Sequence, residues 1–185
     1  MGKKTIVLFL VALLVSTAAF ASVLQVGVTG SMDLDVMKID ESTMDSTIET
    51  VTDINKYALG AEARLNVSFL QLNATLQTGD MFKTLNGVMG AGIKLGPDIV
   101  NIAAGIAAPY AFSTDDPMEG LKATLDQEMQ LRLGVNANIL FAGLGISYYV
   151  PTGVALNKVF SPDIAGFKPD FSRGKLGVSL MLNLL

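Results

Sequence analysis

Six ionisable side chains, Glu62, Arg64, Lys94, Glu128, Arg132 and Lys175, fall within strand-like stretches that are otherwise mostly apolar or small. Glu62 and Arg64 are two residues apart, and Glu128 and Arg132 four apart, so on extended backbone each pair points to one side. The chemistry open to such a set is ion pairing. One reading is a salt-bridge network that gates or plugs an enclosed space; the plainer one is a polar core whose buried charges need partners. Covalent and acid–base chemistry has little to work with. The chain holds no His and no Cys, which removes the usual general base, the commonest metal ligand, thiol nucleophiles and disulfides. No Ser sits in a nucleophile-elbow context. The expectation is a protein that is not an enzyme, with no cofactor and no metal.

Other candidate sites reduce to bland readings. Acidic residues cluster at Asp40, Glu41, Asp45, Glu49 and Asp53, and again at Asp115, Asp116 and Glu119. Hard-cation binding is open to carboxylates, but the spacing of a calcium loop is absent, and solvated surface loops account for them. Asn66-Val-Ser68 and Asn73-Ala-Thr75 match the glycosylation triplet but fall inside strand-like stretches. The formal net charge of −4 argues against a nucleic-acid partner, which would need clustered Lys and Arg.

What must position the six charges is a set of strands. From Tyr57 every second residue is apolar (Tyr57, Leu59, Ala61, Ala63, Leu65, Val67, Phe69), while Glu62, Arg64 and Asn66 lie between. The same period of two recurs around Val26, Leu72, Ala91, Ile102, Leu131, Leu144 and Leu180, and period two is the mark of a strand with two unlike faces. Eight such segments result, most about 9 to 12 residues long, enough for a tilted strand to cross a bilayer. The connections alternate long and short: 37–56, 69–70, 79–86, 96–98, 110–124, 138–140 and 150–173. That alternation predicts an all-β, eight-stranded antiparallel up-and-down transmembrane barrel over residues 22–185, with both ends on the short-turn side.

The apolar face is the one expected to touch lipid. It carries no charge in the central stretch of any segment, whereas Gly, Ala, Ser, Asn and the six charges occupy the other face, which suits the narrow interior of eight strands. Leu59, Leu65, Val67, Leu72, Leu76, Ile102, Ile106, Leu131, Leu133, Leu144, Ile146, Val178, Leu180 and Leu182 are the expected lipid-facing residues. Tyr57, Phe69, Tyr110, Phe141 and Tyr148 fall near strand ends, where interfacial aromatics belong. Ahead of the barrel, Lys3 and Lys4 precede an apolar run from Thr5 to Val15, and Ala19-Phe20-Ala21 follows. This reads as a secretory signal peptide over residues 1–21, with Ala19 and Ala21 framing the cut.

With the final "GKLGVSLMLNLL", these features resemble the small eight-stranded outer-membrane proteins, the group of the OmpA transmembrane domain, OmpX and OmpW. The chain departs from the group's usual terminal aromatic by ending Leu184-Leu185. The resemblance implies a place in the outer membrane of a diderm bacterium. There the protein would have a structural or surface-interaction role and a mostly closed polar lumen. Its partners would be the outer-membrane bilayer and an extracellular molecule met by loops 37–56, 110–124 and 150–173. Two alternatives remain: a narrow porin-like channel or transporter for small or apolar solutes, and a soluble periplasmic lipocalin-like carrier.

Overall fold

The computed structural model describes residues 22–79, 84–97, 99–113, 118, 122, 124–159 and 166–184. The expected signal segment lies outside the described residues, as do Asp115, Asp116 and Glu119. Eight strands follow in order: β1 Ser22–Asp33, β2 Ala58–Val67, β3 Leu70–Gly79, β4 Thr84–Leu95, β5 Val100–Ser113, β6 Glu128–Ile139, β7 Ala142–Ala155 and β8 Lys175–Asn183. Each pairs antiparallel with the next, and β8 closes on β1 in an up-and-down barrel.

The register sets the size of the barrel. Paired residues followed once around, from Val23 through Asn66, Gln71, Gly92, Gly105, Arg132, Tyr149 and Lys175, return to β1 at Asp33, ten positions along. That stagger tilts eight strands by about 40° and closes them at a radius of about 8 Å. Side chains projecting inward from all sides fill such a space.

The pleat then sorts the two faces. Across the paired wall, from Leu24 to Leu182 and as far as Val150 in β7, outward positions carry aliphatic, small or aromatic residues, with Thr78 the polar exception. Leu180 is 57% exposed and Arg64 1%. The residues meeting across the interior are mostly polar, with Ala103, Ala107 and Met181 among them, and the leucines point away from one another. No helix among the described residues is long and apolar enough to cross a membrane.

Short turns close one end of the barrel. Ser68-Phe69 joins β2 to β3 and Leu140-Phe141 joins β6 to β7, with Ser68 and Leu140 at positive φ. Gly96, at φ +105°, begins the turn into β5. The other end is taller than alternation indicates. Tyr110–Ser113 and Val150–Ala155 read as loop in the sequence but are strand. Pro109, Pro151 and Gly153 look like breakers there. Instead, β5 pairs on to Thr84–Ser113, and a register shift between Glu128 and Gln130 lets β7 pair on to Ala155. Leu125, expected in the sixth segment, lies before β6, which starts at Glu128.

The long first connection holds a helix, α1 Met44–Thr52. It also holds one-turn helices at Val36–Lys38 and Ile54–Lys56, and another, Phe171–Arg173, leads into β8. These three turns share a sequence form: Asp35-Val-Met-Lys38, Asp53-Ile-Asn-Lys56 and Asp170-Phe-Ser-Arg173. In each, the leading Asp accepts from the backbone N–H two residues on, at 3.0, 3.0 and 3.1 Å. A short acidic side chain offers the first turn an acceptor for its otherwise unpaired N–H. These three loop carboxylates are thereby structural.

One close approach locks the outer wall. Tyr110, on β5, lies across Gly87 of β4 and donates its hydroxyl proton to the Thr75 carbonyl on β3. A Cβ at Gly87 would stand 2.4 Å from the Tyr110 ring and 2.1 Å from the Thr75 oxygen. Gly87→Ala is therefore expected to displace the tyrosine and cost about 1–3 kcal/mol. Tyr110→Phe, which loses only the hydrogen bond, should cost about 1 kcal/mol. Chemical unfolding of the two variants beside the parent measures both; equal stability of Gly87→Ala and the parent would contradict the close contact.

Candidate functional site: the barrel lumen and its rim

Inward side chains fall into tiers along the barrel axis. The lowest, near the short turns, is a ladder of neutral amides. Gln71 donates to Asn66 at 2.7 Å, and Asn66 donates to Gln25 at 3.3 Å. Gln25 donates in turn to Asn138 at 2.8 Å and Asn183 at 2.6 Å. An amide carries both donors and an acceptor, so a ring of them satisfies itself without water. Gln25, Asn66 and Gln71 are all buried.

The next tier holds the charges. Arg64 donates to Glu62 Oε1 through Nη2 at 2.7 Å and Nε at 3.2 Å, and through Nη1 to Asn136 at 2.6 Å. The second Glu62 oxygen accepts from Ser179, whose hydroxyl lies 3.2 Å from that of Thr29. Asn136 continues to Asn101 at 2.8 Å. The pair thus has direct polar partners on β6 and β8, themselves bonded to β5 and β1, as a buried ion pair requires. Arg132 has a different setting. Its Nη1 donates to Gln71 at 2.6 Å and its Nη2 to Ser147 at 3.1 Å, while its Nε makes no hydrogen bond. Lys94 lies at the short-turn end of β4 and is buried.

Glu128 does not join them. A strand rises about 3.3 Å per residue, so four residues separate it from Arg132 by about 13 Å. Spacing that unites side chains on a helix parts them here. Glu128 stands at the loop end of β6 and pairs with Arg173 at 3.0 Å. Lys175 also stands at the rim, half exposed, 3.7 Å from Asp33. Hydrogen bonds from Ser172 and the Arg173 guanidinium hold the Asp170 carboxyl below its ordinary range; Asp170 and Glu128 together raise Arg173. In the first connection, Ser42 and Thr43 lower Asp40 in the same way. Among the described residues no three acidic side chains converge as metal ligands.

Above the charged tier the lumen opens into a cavity of about 450 Å³. Sequence reasoning did not find it. Thr29, Thr75, Gln130, Ser147, Tyr149 and Ser179 in its wall carry no local signal, and register alone brings them together.

On the outside, all the expected lipid-facing residues lie on the outward face, with Leu65, Leu131 and Val178 half-buried among their neighbours. Aromatics mark both ends. Phe69 and Phe141 occupy short turns and are exposed; Tyr57, Tyr110 and Tyr148 sit toward the loops. Phe112, which sequence reading left in a loop, joins Tyr110 edge-on with centroids 5.4 Å apart. The single hydroxyl proton of Tyr148 is shared between the Leu34 and Phe171 carbonyls, 2.8 and 2.9 Å from its oxygen, tying the β1 exit to the β8 entry. The connection from β7 to β8 folds back on β7: Lys168 N–H donates to Thr152 O and Asp170 N–H to Pro151 O. Val150 and Val154 are buried, while Phe167 and Phe171 remain exposed and Phe160 and Ile164 lie outside the described residues. Searches against protein-family models, curated proteins and solved structures return no match for this chain.

Proposed function

We propose that the protein is an integral β-barrel of the outer membrane of a diderm bacterium, exported by a signal peptide over residues 1–21 and without catalytic activity. Its role is structural or in surface interaction, with the rim and long loops offered to the outside. One observation carries this reading: a closed barrel whose outward face is apolar all the way round, while its inward face holds the polar and charged residues. In water that surface has no counterpart, since soluble monomers rarely expose contiguous apolar patches beyond a few hundred Å². In a bilayer it is what the solvent demands, and closure leaves no strand edge unpaired. Ten residues tilted by about 40° climb about 25 Å, the height of the apolar band of such barrels. The aromatics at both ends suit the two interfaces.

A structural role is favoured over a conducting one by the two lower tiers of the lumen, where Gln25, Arg64, Gln71 and Asn136 are each 1% exposed. The strand number and loop alternation also support kinship with the OmpA, OmpX and OmpW group. Membrane extraction is the test. The protein is expected to need detergent for release, and to run at different gel mobilities before and after boiling. Release as a monomer by buffer alone would refute the membrane reading and favour a soluble carrier.

A further inference from the structure

The cavity of about 450 Å³ lies in the loop-end half of the lumen. Beneath it is the charged tier, so it is a cup rather than a passage. Its volume falls within the range of about 300–1,000 Å³ typical of small-molecule sites.

Its lining is chemically lopsided. Thr29, Thr75, Ser147 and Ser179 present hydroxyls, and Gln130 and Tyr149 complete the polar wall. On β4 and β5, beside Thr75, Val88 and Pro109 are cross-strand partners that form an apolar patch. Two polar groups are unspent. Gln130 is 8% exposed, and its Oε1 has no hydrogen-bond partner. Tyr149 is 6% exposed, and the one hydrogen bond of its hydroxyl, to the Asn73 amide, is long at 3.5 Å. A buried acceptor without a donor is an unmade hydrogen bond, which a ligand donor would complete. Charge does not select the ligand. Neither Glu62, Arg64 nor Arg132 lines the cavity, and the ionic groups at its edge are of both signs, Asp33, Lys56 and Lys175.

We infer that this cup binds a neutral, polyhydroxylated molecule of mono- to disaccharide size. Such a molecule has hydroxyl edges for Gln130 and Tyr149 and a C–H face for Val88 and Pro109. Approach from outside the cell rests on the membrane reading above; the binding itself does not.

The test uses the full barrel folded in a detergent without a sugar headgroup, since a glycoside detergent would compete. Glucose, maltose and trehalose are titrated, with gluconate as the charged counterpart, while amide NMR shifts are followed. A saturable shift confined to β6 and β7 residues near Gln130 and Tyr149 is expected for at least one neutral sugar, and a weaker one for gluconate. Gln130→Leu and Tyr149→Phe should each weaken that sugar by about tenfold while keeping the gel shift on boiling. Tyr149→Phe loses only a hydroxyl, so it serves if Gln130→Leu fails to fold. No saturable shift with any sugar, or unchanged affinity in the folded variants, overturns the site. Gluconate binding as tightly as glucose overturns its neutrality. Because the readout is made in micelles, failure here leaves the extraction result untouched, and the converse holds.

Discussion

Leu180→Arg is expected to destabilise the folded barrel in lipid vesicles by about 2–4 kcal/mol, the cost of a guanidinium near the bilayer midplane. Leu180 lies on the outward face of β8 between Val28 of β1 and Leu144 of β7, its cross-strand partners. It is already 57% exposed when the chain is considered alone. In water, a charge at so open a position would change stability by no more than about 0.5 kcal/mol. The two environments therefore give answers several-fold apart. Leu140→Arg supplies the internal comparison: Leu140 is 86% exposed but sits in the β6–β7 turn, beyond the belt. There the same charge should cost only about 0–1 kcal/mol. Urea titration of folding into vesicles reads both. If the two substitutions prove equally mild, the outward leucines do not meet lipid.

The second large effect lies inside. Glu62→Ala removes the one carboxylate oxygen that accepts from both Nε and Nη2 of Arg64, and the other oxygen, which accepts from Ser179, at a site where Arg64 is 1% exposed. An uncompensated buried cation of this kind costs about 3–5 kcal/mol. Replacing the pair together, Glu62→Leu with Arg64→Met, should recover most of that loss, because the charges and their desolvation leave at the same time. The single and double variants, compared by chemical unfolding, separate a demand for pairing from a demand for charge. A double variant as unstable as Glu62→Ala would mean that the ionic tier itself holds the barrel together. Swelling of vesicles carrying Glu62→Ala offers a further readout, for solute entry through a lumen whose middle tier has been opened.

The loops illustrate how far local reading reaches. Asp35, Asp53 and Asp170 each head a one-turn helix, and each is followed by a basic residue three positions on. Two of those basic residues close back on their own Asp, Lys38 at 3.2 Å and Arg173 at 2.9 Å. The repeated Asp-x-x-Lys/Arg form is present in the sequence, but charge counting groups Asp53 with solvated acid and passes over Asp35 and Asp170. The recognisable signal was a turn signal, not an electrostatic one. These exposed i,i+3 pairs add little stability; the backbone acceptor is the useful contribution.

The amino-acid sequence by itself determined the strand number, the face of each strand and the end on which the long connections lie. A period of two needs no tertiary knowledge, since each residue's side follows from its parity within the strand. The same parity assigned Glu62 and Arg64 to one face and to each other. Tertiary structure decided everything that depends on height. The ten-residue stagger places Gln71, from β3, beside Arg132, from β6, and removes Glu128 to the rim beside Arg173. It also carries β5 and β7 past their prolines, and leaves Gln130 and Tyr149 facing a cavity while Gln25 and Asn66 are sealed below it. Register around a closed sheet is a sum over eight pairings, each set by turns and packing elsewhere in the chain, so no single segment contains it.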